Sequence, residues 1–446
     1  MAMVRITIDG HELVVDAGLT VLQAAQQAGI DIPTLCHHPA LPDIGACRIC
    51  LVEVAKQRAL QPACTFPVSE GMEVQTESPQ VVAARKFVLQ LLFSERNHYC
   101  MFCQMSGDCE LQALAYRYGL EQWIYDRPYD TMPVDGSRRY FILDHNRCVL
   151  CRRCIRACEE IAHNHTLGER QRGAKTMVSA DLGVPFGESS CVSCGTCLQV
   201  CPTGALIDRH SAYRGRETEV QRKKSVCAAC PVGCAIEVVY RANHVVRVEG
   251  DWDGEPNHGL LCVAGRFEPF DEVRPRVTRP LVRRDGALVE AGWKMALEVA
   301  AGGFRQAATT AAVATGRATN ETFRALANAF SLAGFWNRAV PKLDYGRPGT
   351  LADIAAADAI VVAGADPAET HRVVAYTIRR ALDKGARLFL IEGGGTYLAP
   401  YAMLNVSDAD AARVVRVVAG ASAPVIVYGA DLGPGTMAAL KVLEDK

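Results

Sequence analysis

The chain of 446 residues carries 48 Lys and Arg against 49 Asp and Glu, a formal net charge of −1, with 49 % hydrophobic residues. That length leaves room for several domains at roughly 150 residues each, and the near-balanced charge excludes a global pull towards nucleic acid or anionic membrane. No apolar run is long enough to span a bilayer and the opening MAMVRITIDGHE turns polar too soon for a secretory signal, so a cytoplasmic chain without membrane insertion is expected. In that compartment clustered thiols mean metal rather than disulfides, and 19 cysteines cannot all pair.

Residues 1–77 open with VRITI, an alternation that suits a half-buried strand, then Asp9-Gly10 as a hairpin turn and ELVV as the return strand. Thr20-Val-Leu-Gln23 reads as a capping box before an Ala-rich helix that Gly29 stops. Cys36, Cys47, Cys50 and Cys64 follow as C-x10-C-x2-C-x13-C, four thiolates that suit a [2Fe–2S] cluster or zinc. The order of strand, helix and cysteine loop resembles the β-grasp [2Fe–2S] ferredoxin fused to hydrogenases and respiratory NADH dehydrogenases, although the first gap differs from the plant-type C-x4-C. Four cysteines complete the site, so His37 and His38 read as neighbours of it rather than ligands.

Ser78-Pro79 caps and starts a helix running to about Arg96, with Val81, Val82, Phe87, Val88, Leu91 and Leu92 expected on its buried side. Beyond it, His98, Cys100, Cys103 and Cys109 form H-x-C-x2-C-x5-C, three cysteines with no fourth nearby. The pattern resembles the [4Fe–4S] site of the same subunits, held by one histidine and three cysteines. Its single residue between histidine and first cysteine resembles diaphorase subunits of NAD-linked nickel–iron hydrogenases. An imidazole in place of a thiolate removes negative charge, which raises a cluster's potential.

Residues 139–210 repeat C-x2-C-x2-C-x3-C twice, the second copy closing in Cys-Pro, the spacing by which a two-cluster ferredoxin holds two [4Fe–4S] cubanes. The fourth cysteine of each run crosses to the other cluster, which groups Cys148, Cys151, Cys154 and Cys201, and separately Cys191, Cys194, Cys197 and Cys158. A pair of zinc sites is the alternative, but zinc needs neither the cross-over nor the Cys-Pro. Arg152, Arg153 and Arg156 read as a solvated helix face.

Between 220 and 275, Cys227, Cys230, Cys234 and Cys262 are spaced C-x2-C-x3-C-x27-C, with the strand pair IEVVY and VVRVEG before the last cysteine; zinc is again the alternative. This resembles the N-terminal cluster domain of molybdopterin oxidoreductases such as formate dehydrogenase, and of the large iron–sulphur subunit of NADH dehydrogenases. Where molybdopterin enzymes place a lysine two residues after the fourth cysteine, this chain has Ala264. From 276 onward the strand-like runs AIVVAGA, RLFLIEG and PVIVYGA alternate with helical stretches, which predicts parallel α/β units. Thr319-Asn320-Glu321 and the segments around two of those strands resemble the molybdopterin fold. Glu392 to Thr396, EGGGT, stands where the family commonly has a cofactor-contacting segment; Gly393 to Gly395 could cradle a phosphate, but the segment reads rather as a flexible loop left after loss of the cofactor.

The resemblance therefore implies an α+β and α/β multidomain chain: 1–77 a [2Fe–2S] ferredoxin, 78–138 the one-histidine three-cysteine domain, 139–210 a two-[4Fe–4S] ferredoxin, 220–275 a molybdopterin-type [4Fe–4S] domain, and 276–446 a truncated, non-catalytic molybdopterin-like domain packed on the clusters or a partner. Its relatives are the large iron–sulphur subunit of complex I and the corresponding parts of NAD(P)-linked or electron-bifurcating hydrogenases and NAD-linked formate dehydrogenases. Nineteen cysteines and His98 make twenty ligands, enough for one [2Fe–2S] and four [4Fe–4S] clusters. No G-x-G-x-x-G follows a strand, so FMN and NAD(P) belong on a flavoprotein partner. The other implied partners are a small thioredoxin-like [2Fe–2S] subunit, nickel–iron hydrogenase subunits and ferredoxin. The alternative is the same relay role beside a formate dehydrogenase catalytic subunit or in a shortened complex I. Two other classes are a self-sufficient molybdenum enzyme, which Ala264 and EGGGT oppose, and a colourless zinc scaffold.

Overall fold

The computed structural model describes residues 2–122, 124–125, 131–271, 275, 277–314, 318–329, 348–430 and 432–442. Strand β1 (Met3–Ile8) turns at Asp9-Gly10, both at positive φ (48° and 82°), into antiparallel β2 (His11–Asp16). Helix α1 (Val21–Gln27) begins on a reciprocal cap: Gln23 N donates to Thr20 Oγ1 at 3.3 Å and Thr20 N to Gln23 Oε1 at 2.9 Å. With β3 (Leu51–Val54), β4 (Gln61–Pro62) and β5 (Met72–Gln75) the sheet runs β2-β1-β5-β3-β4. Its core joins Ile6, Ile8, Leu22, Ala25, Val52 and Val74.

Helix α2 (Pro79–Glu95) starts on the Ser78 cap, but its buried stripe differs from the expected one. Phe87 and Leu91 are exposed at 50 % and 41 %, and the buried line is Val81, Arg85, Leu89 and Phe93. Arg85 can lie there because acceptors surround it. Its Nε donates to Ile49 O at 3.0 Å, Nη2 to Leu51 O at 2.8 Å, and Nη1 to Glu77 Oε1 at 2.8 Å and Tyr118 OH at 2.7 Å.

Helix α3 (Glu110–Arg117) leads to β6 (Val134–Asp135) and β7 (Phe141–Asp144). Then come α4 (Arg153–Arg156), the hairpin β8 (Leu167–Arg170) and β9 (Met177–Ala180), α5 (Thr196–Gln199) and β10 (Leu206–Asp208), which pairs back onto β7. Strands β11 (Gln221–Val226), β12 (Ala235–Arg241) and β13 (His244–Gly250) form an antiparallel sheet, so a third strand joins the expected pair. Helix α6 (Val263–Arg266) follows Cys262 directly.

The remainder contains hairpin β14 (Leu281–Arg284) and β15 (Ala287–Glu290), then α7 (Trp293–Gln306), α8 (Asn320–Ala329) and α9 (Leu351–Ala356). An α/β unit follows: β16 (Ala359–Ala363), α10 (Pro367–Thr370), α11 (Arg372–Asp383), β17 (Arg387–Ile391), β18 (Leu404–Val406), α12 (Ala411–Val418), β19 (Pro424–Tyr428) and α13 (Pro434–Lys441). Its four strands are parallel in the order β18-β17-β16-β19, and β16 is buried along its whole length, which is why the sequence reads as unbroken apolar runs. The EGGGT segment forms a hydrogen-bonded turn. Glu392 N donates to Val406 O at 2.8 Å, Thr396 Oγ1 to Gly393 O at 2.9 Å, and a Cβ on Gly393 would press on Leu390 at 2.7 Å.

Helix α11 fastens this unit to the cysteine-bearing part. Val373 and Tyr376 share one core with Cys194, Cys234, Ile236, Leu260 and Cys262, and Arg380 Nη2 donates to Ile161 O at 3.1 Å. Among the described residues no helix is long and apolar enough to cross a membrane.

Candidate iron–sulphur sites

Cys36, Cys47 and Cys50 lie in the loop between α1 and β3, and Cys64 in the turn after β4; Cys36, Cys50 and Cys64 are each 1 % exposed and Cys47 is half-buried. The four thiols meet. Hydrogen bonds from Cys47 and Cys64 push the Cys36 thiol down, and the bond from Cys64 pushes Cys50 down, while Cys47 and Cys64 are pushed up as donors to their neighbours. His37 Nδ1 instead meets Asp43 Oδ1 at 2.8 Å. His38 Nδ1 accepts from Ala40 N at 3.2 Å, its ring lies edge-on to Trp252 at 5.0 Å, and burial pushes it down to about 4.

Helix α2 delivers His98 into a cavity lined also by Cys100, Cys103, Cys109, Arg147 and Gly204. Burial pushes the His98 ring down to about 4, and Nε2 donates to Leu92 O at 3.1 Å, since a carbonyl can only accept. The neutral tautomer therefore keeps its lone pair on Nδ1, the arrangement by which a metal-ligating histidine is oriented through its other nitrogen. Burial raises Cys109 to about 12. Gly204, two residues after Pro202, seats this group: a Cβ there would overlap Cys103 Sγ.

In the double repeat, Cys201 interacts electrostatically with Cys148, Cys151 and Cys154, while Cys158 interacts with Cys191, Cys194 and Cys197. The structure thus brings the cross-over groups together. Burial raises Cys148 to about 11 and Cys158 to about 12. The two loops are built alike: Leu150 and Ser193 have φ of 51° and 53°, Arg152 and Gly195 have 61° and 71°, and each loop turns a backbone N–H onto its first sulphur at 3.4 Å. At Gly195 the second copy needs its glycine, because a Cβ would overlap the buried Arg266.

The expected solvated arginine face is present only at Arg152, which pairs with Glu169. Arg153 and Arg156 are 4 % and 5 % exposed. Arg153 makes a two-pronged pair with Glu110 of α3 at 2.6 and 2.7 Å, and Arg156 donates to the carbonyls of Cys36 and Pro42. Both guanidiniums find backbone or carboxylate acceptors across the neighbouring units, which is why they leave solvent.

Cys227, Cys230, Cys234 and Cys262 line one cleft with Ala264, Glu268 and Arg372, and burial raises Cys234 to about 12. The Ala264 methyl stands where a lysine is expected in molybdopterin enzymes. The nearest charge of that sign in the cleft is Arg372 of α11, whose Nη1 is 3.5 Å from Glu268. Beside it, the Tyr376 hydroxyl is buried without a partner among the described residues, in the core shared by Cys194 and Cys262.

These donor sets fit iron–sulphur clusters. Buried thiols with raised pKa values stay protonated unless a cation compensates them, and the N–H donors, glycine seats and unpartnered tyrosine hydroxyl suit sulphur acceptors. Sequence patterns do not mark Gly204, Tyr376 or Arg85 as parts of these sites. An arginine placed four residues from both Val81 and Leu89 is the trace Arg85 leaves; Tyr376 leaves none, because its hydroxyl meets the cysteine core only through folding.

Five family models match in series: a 2Fe-2S iron-sulfur cluster binding domain over 1–79, the NADH-ubiquinone oxidoreductase-G iron-sulfur binding region over 85–122, a 4Fe-4S dicluster domain over 147–205, the molybdopterin oxidoreductase Fe4S4 domain over 220–269 and molybdopterin oxidoreductase over 276–426. The chain is 38 % identical to an NADH-quinone oxidoreductase G-type subunit of Rhizobium meliloti (strain 1021), over 66 % of this chain and 34 % of that protein. It is 33 % identical to the NADPH-Fe(3+) oxidoreductase subunit alpha of Geobacter sulfurreducens (strain DL-1 / KN400), over 72 % and 38 %. A solved NAD+-reducing [NiFe]-hydrogenase chain is similar at 34 % identity and TM-score 0.46, over 48 % of this chain and 91 % of that one. The chain spans about a third to a half of the length of the curated relatives it matches. The chain thus carries, in one order, 2Fe-2S, NADH-ubiquinone oxidoreductase-G, 4Fe-4S dicluster and molybdopterin oxidoreductase domains, and it is similar over its cluster-bearing part to NADH-quinone oxidoreductase G subunits.

Proposed function

We propose that this chain is an electron-relay subunit of a soluble, cytoplasmic NAD(P)-linked oxidoreductase. In this reading its nineteen cysteines and His98 hold one [2Fe–2S] and four [4Fe–4S] clusters in the five units outlined from sequence, the first a β-grasp ferredoxin and the last a molybdopterin-like α/β unit without a catalytic role. The observation that carries it is the continuity of the packing around the thiol groups. Cys36, Cys100, Cys109 and Cys151 border one hydrophobic cluster, Cys154, Cys158, Cys197 and Cys201 the next, and Cys194, Cys227, Cys234 and Cys262 a third. The groups thus form a series with protein, not solvent, between neighbours. Such clusters, when bound, exchange single electrons. This chain's own residues supply the thiolates, hold them at fixed spacing, and keep water from the sulphurs, which sets potentials.

The partner at one end is a flavoprotein whose FMN splits hydride from NAD(P)H into single electrons, with a small thioredoxin-like [2Fe–2S] subunit beside it. At the other end we place a nickel–iron hydrogenase, on the single-residue gap between His98 and Cys100, with ferredoxin as a further exchange partner if the flavin bifurcates. The second reading, a formate dehydrogenase or a shortened complex I, is favoured by the cleft of Cys227, Cys230, Cys234 and Cys262; Ala264 and the EGGGT turn weigh against molybdopterin in this chain itself. Metal analysis of the native complex, purified without air through a tag on this chain, decides between them. Nickel with abundant iron is expected. Molybdenum or tungsten without nickel would transfer the relay to formate dehydrogenase, and iron alone to a complex I-like partner.

A further inference from the structure

Away from the cysteines, three side chains converge where the α/β unit meets the double-repeat unit. His163 Nδ1 lies 2.6 Å and His165 Nε2 2.8 Å from the same oxygen, Oδ2 of Asp383, the last residue of α11. All three candidate ligand atoms lie within 4.8 Å of one another.

The arrangement is held from behind. His163 and His165 both have positive φ (50° and 53°), and Asn164 between them is 8 % exposed. Asn164 Nδ2 donates to Thr166 Oγ1 and, at 3.0 Å, to Ser190 O, while its Oδ1 accepts from Tyr397 OH at 2.5 Å. With the middle residue fixed inward, the two flanking rings face the same cleft. Asp383 is held by its own helix, whose Arg380 is bonded to Ile161 O. Glu159, Glu160, Arg380, Lys384 and His258 line the rest of the cleft. The charges around the three groups are thus mixed, with two further carboxylates against two cations. Burial pushes the His163 ring down, which favours the neutral, ligating form.

We propose that His163 Nδ1, His165 Nε2 and Asp383 bind a divalent cation of the zinc class, with water at the remaining position, and that this ion clamps the α/β unit to the segment carrying Cys158. Two imidazoles and a carboxylate are a zinc donor set, and bond lengths of about 2.0–2.2 Å require each ring nitrogen to part slightly from its present hydrogen-bonded contact with Oδ2. The ring protons now in those hydrogen bonds move to the opposite ring nitrogens, so two neutral histidines need release no proton. A carboxylate that only bridges two histidine N–H groups would hold the same geometry without an ion, and the test separates the two.

The cluster-loaded full chain, purified without air, is equilibrated with low-micromolar zinc chloride and desalted, and zinc and iron are counted for the wild type, His165→Ala and Asp383→Asn. His165 is partly exposed, so its truncation leaves the core intact. The wild type is expected to retain zinc that both variants lose, at equal iron, and zinc is expected to raise the thermal midpoint of the wild type only. Equal zinc in all three proteins, or none in the wild type, overturns the proposal. Iron is read from the same samples, so failure of the cluster assignment would be seen separately.

Discussion

At the scale of single residues, buried polar groups with particular partners decide how the sites are held. Arg85 joins the cysteine loop, through the carbonyls of Ile49 and Leu51, to Glu77 and to Tyr118 beyond α3. Arg85→Met keeps much of the volume but strands two buried acceptors at about 1–3 kcal/mol each. The urea midpoint for loss of the [2Fe–2S] absorbance is predicted to fall accordingly; an unchanged midpoint would mean that water satisfies the carbonyls. His98 makes a different demand. Replacing its neutral ring by a thiolate adds negative charge, so His98→Cys is predicted to keep the cluster and lower its potential in an EPR-monitored redox titration. An unmoved potential would remove His98 from the ligand set. The candidate ligands were legible from spacing because a cluster fixes the chain distance between its thiolates. The buried arginines were not, because a guanidinium enters a core only where folding supplies acceptors.

Elements are where local rules carry furthest. The Asp9-Gly10 turn, the Thr20–Gln23 cap and the Ser78 cap occur as expected, since each is settled by a few neighbouring residues. The stripe of α2 departs from expectation because periodicity finds an apolar face without saying which part of it meets another unit. The bond that Glu392 N donates to Val406 O, at the start of EGGGT, is equally invisible to local patterns, because its acceptor lies on the neighbouring strand. Gly204 is the sharpest element-level constraint: the segment after Pro202 passes against Cys103 with no room for a side chain. Gly204→Ala is predicted to cost about four irons, one [4Fe–4S] cluster, while the other sites stay loaded. Full iron content in that variant would show that the backbone yields there.

Across the whole molecule, the units are tied by charge-assisted bonds beside each cysteine group. Arg156 holds the Cys36 loop, Arg153 holds α3, and Arg266 binds Cys194 O at 2.8 Å from the helix that follows Cys262. Helix α11 closes the far end with Tyr376 and Arg380. The order of the units was legible in the cysteine spacings, whereas their mutual docking was not, since long-range pairs such as Arg153–Glu110 leave no local pattern. In the proposed relay this packed series holds redox clusters rather than zinc. The most direct measurement is iron, sulphide and zinc content of the chain isolated without air, with EPR after reduction. A brown protein is expected, with about 18 irons per chain, iron far in excess of zinc, and spectra of one [2Fe–2S] and several [4Fe–4S] centres. A colourless protein whose zinc matches its cysteine groups, silent on reduction, would contradict it.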